Sequence, residues 1–243
     1  MATTSPPDSD ADHAVGLSIL VPVYNEASTV EQAIQQVLDA DLPLDFELVV
    51  VDDGSTDGTR EILARGTWPD SVRIFEHDGN RGKGAAVRTA LQHARGRFSA
   101  IFDADLEYDP DDVADLLPPL LEGRARAAFG VRAFNGYTSH SFMYVMGNRG
   151  VTLAANILFN VYLKDLMTCH KVIETDLFRS LPLQANGFDI EPEIAARLIQ
   201  RRERIFELPV HYKARTTEEG KKLTSVDGFR VLLTLLRCRF SRG

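Results

Sequence analysis

Short apolar runs alternate along the first half of the chain with segments whose apolar residues recur every three or four positions. The runs are rich in β-branched and aromatic residues and end in Pro, Asp or Gly, which is typical of buried strands, whereas the recurring segments have the helical period. We expect strands at residues 17–23, 46–51, 72–76 and 98–102 and helices at residues 29–38, 59–65 and 84–94. This alternation predicts an α/β fold with a mostly parallel, Rossmann-like central sheet and helices on both faces.

The alternation becomes irregular after residue 132. Residues 149–163 have a largely apolar helical pattern, residues 191–201 an amphipathic one and residues 229–239 a basic amphipathic one, while residues 205–210 form a further predicted strand. The second half, residues 133–243, is therefore expected to be organised differently from residues 15–132.

The composition favours one globular domain. A chain of 243 residues with 44% hydrophobic content can bury one large core, so we expect a single domain at residues 15–243. Residues 1–14 are rich in Ser, Pro and Asp and lack the apolar region of a signal peptide, which indicates a disordered leader and a cytoplasmic protein. No apolar run approaches the roughly 18 residues that span a bilayer.

Cysteine usage and charge exclude several classes of protein. Cys169 and Cys238 have no neighbours at the spacing of a zinc site or a disulfide framework. The formal net charge is −8, yet residues 197–243 are basic. The basic segment favours contact with anionic phosphate or lipid, whereas the acidic remainder argues against a general nucleic-acid binder.

The most informative motif is Asp103-Ala104-Asp105, which follows the fourth predicted strand and precedes Glu107. Mg²⁺ and Mn²⁺ prefer oxygen ligands and are commonly held by one or two carboxylates plus substrate phosphates. The alternative is that these acids only solvate a turn and cap the next helix, a role for which residues 109–112 are also available. In an open α/β sheet, ligands bind beyond the carboxyl ends of the strands, where this motif lies.

A second acidic motif, Asp52-Asp53, ends the second predicted strand and leads into a Gly-containing turn. Either carboxylate is suited to accept hydrogen bonds from a base imide or a ribose hydroxyl, whereas residues 55–57 read as a helix-capping turn. Two adjacent acids repel each other unless a ligand or a donor group compensates them. We therefore expect this pair to take part in binding.

A third motif, residues 80–84, places Arg81 and Lys83 among glycines just before a predicted helix. A helix N-terminus favours phosphate, and basic side chains strengthen that preference. The spacing of a P-loop is absent, and Ala85 replaces its metal-binding hydroxyl. Residues 23–26, in the first βα turn, lack the Gly-rich dinucleotide fingerprint, so kinase and dehydrogenase functions are both disfavoured.

Four ordered segments together resemble the motifs of family 2 glycosyltransferases with the GT-A fold. They are Pro22-Val23-Tyr24-Asn25-Glu26, the segment from Val51 to Thr59, Asn80-Arg81-Gly82-Lys83-Gly84 and Asp103-Ala104-Asp105. Within the family the chain is most similar to the polyprenyl (dolichyl) phosphate hexosyltransferases, over residues 17–240. The resemblance implies inverting, metal-dependent transfer of a hexose from UDP-glucose or GDP-mannose to a polyprenyl phosphate.

The resemblance also implies roles for individual residues. The nucleoside is expected on Pro22, Tyr24, Glu26, Val51 and Asp53. The ligands of Mg²⁺ or Mn²⁺ are expected to be Asp103, Asp105 and Glu107, the last at a position where the family usually has Gln. The sugar and diphosphate are expected to contact Arg81, Lys83, Asp103, Ala104, Arg132, Arg149 and Arg215. The residues expected to act in catalysis are Asp105, Asp189, Glu191 and Arg215.

Residues 133–243 are expected to form the acceptor half. Segment 165–171 resembles a family motif in which His170 replaces the usual aromatic residue, and we interpret His170 first as a packing residue and otherwise as a substrate contact. Asp189 and Glu191 are candidates for a general base, for acceptor binding, or for the N-cap and first turn of a helix. Segments 187–191 and 219–223 resemble the dolichyl-phosphate glucosyltransferase branch, which favours UDP-glucose.

The sequence is compatible with two classes of acceptor and with several partners. The helices at 149–163 and 229–239 are compatible with docking on a membrane surface and with a place in the core. A hydroxyl acceptor on a small molecule, polysaccharide or protein is the alternative to a lipid phosphate, and a membrane partner subunit or a homo-oligomer is compatible with either. A nucleotidyltransferase is disfavoured because residues 22–26 lack its Gly-rich loop, and a silent binding module because the acidic motif is intact.

Overall fold

The computed structural model describes residues 15–132, 142–213 and 225–241. Its strands are β1 (Val15–Val23), β2 (Phe46–Asp52), β3 (Val72–Glu76), β4 (Gly96–Ile101), β5 (Ala127–Arg132), β6 (Lys171–Glu174) and β7 (Ile205–Val210). Its helices are α1 (Val30–Asp39), α2 (Thr59–Arg65), α3 (Lys83–His93), α4 (Asp112–Leu116), α5 (Pro118–Leu121), α6 (Phe142–Phe159), α7 (Thr175–Ser180), α8 (Ile190–Gln200) and α9 (Ser225–Phe240).

Within the described residues the strands form one seven-stranded sheet in the order β3-β2-β1-β4-β6-β5-β7, and among them β6 alone runs antiparallel to its neighbours. The mostly parallel α/β sheet expected from the sequence is confirmed. The chain moves outward from β1 through β2 to β3 and then returns to β4 on the other side of β1. Such a reversal opens a crevice at the carboxyl ends of β1 and β4, where ligands bind in folds of this kind.

The central strands are buried on both faces. Leu20 and Val49 face a core layer that includes α3, whereas Ile19 and Val50 face a second layer that includes α1. A strand covered on both faces has no polar side, which explains why β1 and β2 read as continuous apolar runs in the sequence.

The boundaries of the expected elements agree with the structure over the first half of the chain. The largest difference lies in α6, which begins at Phe142 and ends at Phe159 where residues 149–163 were expected. Asn160 ends the helix in a left-handed conformation with φ 51°, and the Asn156 side chain bonds both backbone groups of Leu163. The apolar residues after Phe159 therefore belong to a folded-back turn.

Several elements were not expected from the sequence. They are β5, β6 and the short helices α5 and α7. Arg215, the leader at residues 1–14 and the segment 219–223 lie outside the described residues. Among the described helices, none combines the length and the apolar character needed to cross a membrane.

Candidate active site

The acidic motif lies just beyond the carboxyl end of β4. Ala104 is buried, while Asp103 and Asp105 on either side of it are partly exposed. The Glu107 N–H donates to Asp105 Oδ1 at 3.1 Å, and Leu106 adopts φ 60°, a conformation that non-glycine residues rarely take. This turn presents two carboxylates at the edge of the crevice between β1 and β4.

Lys83, the first residue of α3, forms an ion pair with Asp103. Its Nζ lies 2.7 Å from Asp103 Oδ2, 3.2 Å from Glu191 Oε1 and 3.0 Å from Cys169 Sγ. Burial lowers the pKa of Lys83, but the negative charge of Asp103 and its neighbours outweighs that effect and holds the pKa well above its ordinary value. Lys83 therefore carries a full positive charge beside the acidic motif.

The ion pair extends into the interior as a row of alternating charges. Glu191 Oε2 lies 2.8 Å from the Nζ of Lys171, which is fully buried and also donates to the carbonyl oxygen of Thr168. We call the series Lys171, Glu191, Lys83 and Asp103 the ion chain. It joins β6, α8, α3 and the loop after β4, and its formal charges sum to zero.

The ion chain changes the interpretation of Glu191. Its side chain is only 2% exposed, and each carboxylate oxygen contacts an ammonium group of Lys171 or Lys83. Glu191 is therefore not a solvated acid in the first turn of α8. Its geometry suits a counter-ion that orients Lys83 better than it suits a base that must reach a substrate proton.

Asp189 occupies the N-cap position of α8, as the capping interpretation predicted, but its side chain makes no capping hydrogen bond. Asp189 Oδ2 instead accepts a hydrogen bond from Thr234 Oγ1 of α9 at 2.7 Å. The side chain is half-buried and links the start of α8 to the C-terminal helix.

The first N–H groups of α3, where the sequence predicts a phosphate, have hydrogen-bond partners within the chain in this structure. The N–H groups of Gly84 and Ala85 point to the carbonyl oxygen of Asn186, at 2.7 and 3.4 Å. A Cβ atom built on Gly82 would lie 2.3 Å from that oxygen, so glycine is needed for the close approach of the two backbones. The glycines of this motif therefore serve chain packing.

Asp53 is also used inside the protein. It is 2% exposed, its Oδ1 lies 2.7 Å from His77 Nδ1, and its carboxylate accepts the N–H groups of Arg81 and Gly82 at 2.9 and 2.7 Å. Asp52 is likewise buried and accepts hydrogen bonds from within the protein. The donors that the acidic pair requires are thus supplied by the chain, and the expected contact of Asp53 with the nucleoside stays a prediction.

The remaining residues expected at the nucleoside differ in exposure. The Val51 side chain is fully buried in the core, so the predicted contact of Val51 with a nucleoside would have to be made by its backbone. Glu26 is 7% exposed and its Oε2 accepts a hydrogen bond from Thr29 Oγ1 at 2.9 Å. Pro22 and Tyr24, at the carboxyl end of β1, are partly exposed, and their contact with a nucleoside stays a prediction.

The Glu107 carboxylate has a hydrogen-bond partner within the protein. Its Oε2 accepts a hydrogen bond from the Tyr212 hydroxyl at 2.9 Å, and the part of the chain that the structure describes holds no group of three His, Cys, Asp or Glu side chains placed to bind a metal. Asp103 and Asp105 still fit a hard cation, because two carboxylates supply only oxygen ligands and substrate phosphates complete the shell.

The expected phosphate-binding arginines are placed differently from one another. Arg132 is buried, and its guanidinium binds Asp165 through Nε and Nη2 at 2.7 and 2.8 Å. Arg149 is exposed on α6, and Arg81 is exposed near the end of the loop before α3. Of these three arginines, Arg81 is the one whose backbone N–H is bound by Asp53, two residues before Lys83.

Comparison with known proteins assigns the family. The profile described as "Glycosyl transferase family 2" matches residues 18–181, well over half of the chain. The chain belongs to glycosyl transferase family 2. This glycosyltransferase is 28% identical over 221 residues to glycosyltransferase AglJ of Haloferax volcanii, covering 90% of this chain and 70% of AglJ. It is 28% identical over 250 residues to a dodecaprenyl-phosphate galacturonate synthase of Rhizobium johnstonii, covering 99% of this chain and 72% of that enzyme.

The fold of the glycosyltransferase is that of solved GT-A enzymes. Glucosyl-3-phosphoglycerate synthase from Mycobacterium tuberculosis, solved with Mn²⁺, UDP and glucosyl-3-phosphoglycerate, superposes with a TM-score of 0.71 at 20% sequence identity. The match covers 95% of this chain and 82% of that one. The expected GT-A fold is thus confirmed.

Sequence reasoning about the glycosyltransferase missed His77 and Lys171. His77 follows β3 directly and bonds both Asp53 and Thr89 Oγ1, the latter at 2.9 Å. A polar residue at the carboxyl end of a third parallel strand was an available signal. Lys171 offered none, because only the tertiary structure shows that it is buried.

His170 of the glycosyltransferase is a packing residue, as expected. It is fully buried, stacks on Tyr108 with ring centroids 4.5 Å apart, and its Nε2–H donates to the carbonyl oxygen of Asp109 at 3.0 Å. Burial lowers the pKa of His170 from 6.5 to about 4.

The lowered pKa of His170 predicts a loss of stability in acid. Between pH 6.5 and about 4 the unfolded chain binds a proton that the folded enzyme excludes, so the free energy of unfolding falls as the pH falls through this window. The full contribution is about 3 kcal/mol. We expect the free energy of unfolding of His170→Phe, which retains an aromatic ring against Tyr108, to vary less with pH across this range. Urea unfolding at a series of pH values measures it. Equal slopes in the two proteins would contradict the assignment.

Proposed function

We propose that this glycosyltransferase moves a hexose from a nucleotide-diphosphate sugar, UDP-glucose or GDP-mannose, to a polyprenyl phosphate with inversion at the anomeric carbon. The observation that carries the proposal is the position of Asp103 and Asp105 at the carboxyl end of β4, beside the crevice at which the strand order reverses. The matched family profile supports the reaction class.

Asp103 and Asp105 are the residues proposed to hold Mg²⁺ or Mn²⁺. When bound there, the cation supplies positive charge to the oxygens of the departing diphosphate. The presence of Mn²⁺ and UDP in the glucosyl-3-phosphoglycerate synthase structure supports this assignment. Lys83 holds the Asp103 carboxylate at 2.7 Å and so fixes the direction of one ligand. Glu107, engaged by Tyr212, is not needed as a third ligand.

The proposed reaction is a single in-line displacement. An oxygen of the acceptor phosphate forms a bond to the anomeric carbon while the bond from that carbon to the diphosphate oxygen breaks, and the electron pair leaves with the nucleoside diphosphate. Exposed Arg81 and, as predicted from the sequence, Arg215 are proposed to bind the departing diphosphate. A phosphate monoester with a second pKa of about 6 is largely anionic at neutral pH, so it needs no strong base.

The positions of Asp189 and Glu191 support a phosphate acceptor over a hydroxyl acceptor. A hydroxyl group requires a base to remove its proton. Glu191 is enclosed between two lysines, and the Asp189 carboxylate is hydrogen-bonded to Thr234. The similarity to a dodecaprenyl-phosphate galacturonate synthase also supports a lipid phosphate. On this proposal the enzyme works at the cytoplasmic face of a membrane.

The test of the proposed function is nucleoside diphosphate release from a panel of UDP- and GDP-sugars with Mn²⁺ or Mg²⁺. Each donor is assayed with a short-chain polyprenyl phosphate, with the corresponding polyprenol and without acceptor. We expect release that depends on the phosphate, on one donor and on the cation. Equal release with the alcohol would instead assign a hydroxyl acceptor, and release unaffected by chelation would remove the metal from the proposal.

A further inference from the structure

Large apolar side chains are exposed mainly in one region. Nine of the ten exposed large hydrophobic residues among the described residues lie on α6, directly after it, or on α9. We call them the α6/α9 surface, and they are Met146, Leu153, Ile157, Tyr162, Phe229, Leu232, Leu233, Leu236 and Phe240. Monomeric soluble proteins rarely expose large contiguous apolar patches, so this surface indicates an interaction site.

The two helices have distinct inner and outer faces. On α9 the exposed apolar residues recur every three or four positions from Phe229 to Phe240, and the buried Val231, Leu235 and Cys238 lie on the opposite side. On α6, Leu153 and Ile157 are exposed opposite Thr152 and Ala155. Because α6, α8 and α9 pack against one another, α6 and α9 form a layer whose outer faces are both apolar.

The charges beside the α6/α9 surface are positive. Arg149 on α6 and Arg230, Arg237 and Arg239 on α9 are exposed. The sequence of α6 contains no acidic residue, and that of α9 contains one, Asp227 in its first turn. An apolar stripe bordered by arginines, with Tyr and Phe among its most exposed members, is typical of a helix lying in the headgroup region of a bilayer.

We propose that the α6/α9 surface docks on a lipid bilayer that contains anionic headgroups. A second copy of the chain fits less well, because a two-fold contact would bring the positively charged borders of the two surfaces together. In a bilayer with anionic lipid, the headgroups attract the arginines while the apolar side chains enter the hydrophobic region. The proposal goes beyond the transfer reaction and does not rest on it, because docking needs neither donor nor acceptor.

Side-chain contacts link the α6/α9 surface to the candidate active site through α8. Thr234, on the inner face of α9, donates to Asp189 at the start of α8, and α8 also carries Glu191 of the ion chain. Arg237 of α9 also forms an ion pair with Glu193 of α8 at 3.0 Å. The proposed membrane contact and the acidic motif are therefore separated by one helix.

The test is co-sedimentation of the full chain with vesicles of phosphatidylcholine alone and of phosphatidylcholine with phosphatidylglycerol. We expect binding to the anionic vesicles, weakened by added salt. The variants Leu233→Glu and Ile157→Glu should each lower the partition coefficient by about tenfold or more, because each places a charge in the apolar stripe. Leu121→Glu is the matched control, since Leu121 is 42% exposed on α5, outside the surface.

Three outcomes would overturn the proposal. The first is that the native chain does not sediment with anionic vesicles. The second is that Leu121→Glu loses as much binding as Leu233→Glu and Ile157→Glu. The third is a dimer in sedimentation velocity that Leu233→Glu dissociates, which would assign the surface to a second copy. Circular dichroism and thermal unfolding of each variant separate lost docking from lost folding. No nucleotide sugar or acceptor lipid is present, so failure here leaves the proposed reaction untouched.

Discussion

Asp103→Asn is expected to reduce hexose transfer by at least about a thousandfold in kcat/KM, equivalent to roughly 4 kcal/mol of transition-state stabilisation. The amide keeps the size of the side chain but removes the charge that a divalent cation requires. It also weakens the contact with Lys83, whose ammonium group then retains Glu191 at 3.2 Å. The fold should persist, because the remaining carboxylate still compensates the lysine.

The measurement for Asp103→Asn is kcat/KM as a function of Mn²⁺ concentration, with circular dichroism to verify the fold. Asp109→Asn is a suitable control, since Asp109 is an exposed acid on the same loop and lies outside the proposed metal site. We expect the control to keep its activity. Transfer by Asp103→Asn at the native rate would remove the metal role from Asp103 and with it the centre of the proposed mechanism.

Glu191→Gln is expected to lower the free energy of unfolding by about 3–5 kcal/mol, because it leaves a buried lysine without its counter-ion. Lys171 is fully buried, and Glu191 is the acidic partner that lies 2.8 Å from its Nζ. Replacing both residues, as in Lys171→Met with Glu191→Gln, removes the uncompensated charge and should recover much of the loss. Urea unfolding of the native enzyme, the two single variants and the double variant completes the cycle.

An exposed ion pair provides the control for this cycle. Glu174 pairs with Arg126 at 2.6 Å, but both side chains are substantially exposed, so Glu174→Gln should cost less than about 1 kcal/mol. Transfer activity separates the two roles considered for Glu191. If it is a counter-ion, the double variant regains part of the activity that Glu191→Gln loses. If it is the catalytic base, the double variant recovers stability and stays inactive.

The first four strands and the acidic motif at the end of β4 were predictable because their signals are local. A strand buried on both faces is a continuous apolar run, and Asp103 and Asp105 follow such a run directly. By contrast, β6 has only four residues and includes a lysine, so its pattern is too short and too polar to indicate a buried strand. Its place in the sheet depends on pairing with β4 and β5.

The partners of the charged side chains were not predictable, because pairing depends on residues distant in sequence. Asp53 pairs with His77, which lies 24 residues later in the sequence. Lys83 pairs with Glu191 because α8 packs beside the start of α3. The same segment brings the Asn186 carbonyl onto the first N–H groups of α3, which from sequence alone looked available to a phosphate. The sequence therefore indicated which residues line the crevice more reliably than which of their groups are available to a ligand.

The place of β5 in the sheet limits how the chain can be divided. The neighbours of β5 in the sheet are β6 and β7, and both follow it in sequence across residue 133, where the two halves of the sequence meet. A fragment ending at Arg132 would leave β5 without a hydrogen-bonded neighbour on either side. Strands from before and after residue 133 are thus interleaved in one sheet, so we expect that neither part can be exchanged between relatives as an independent unit.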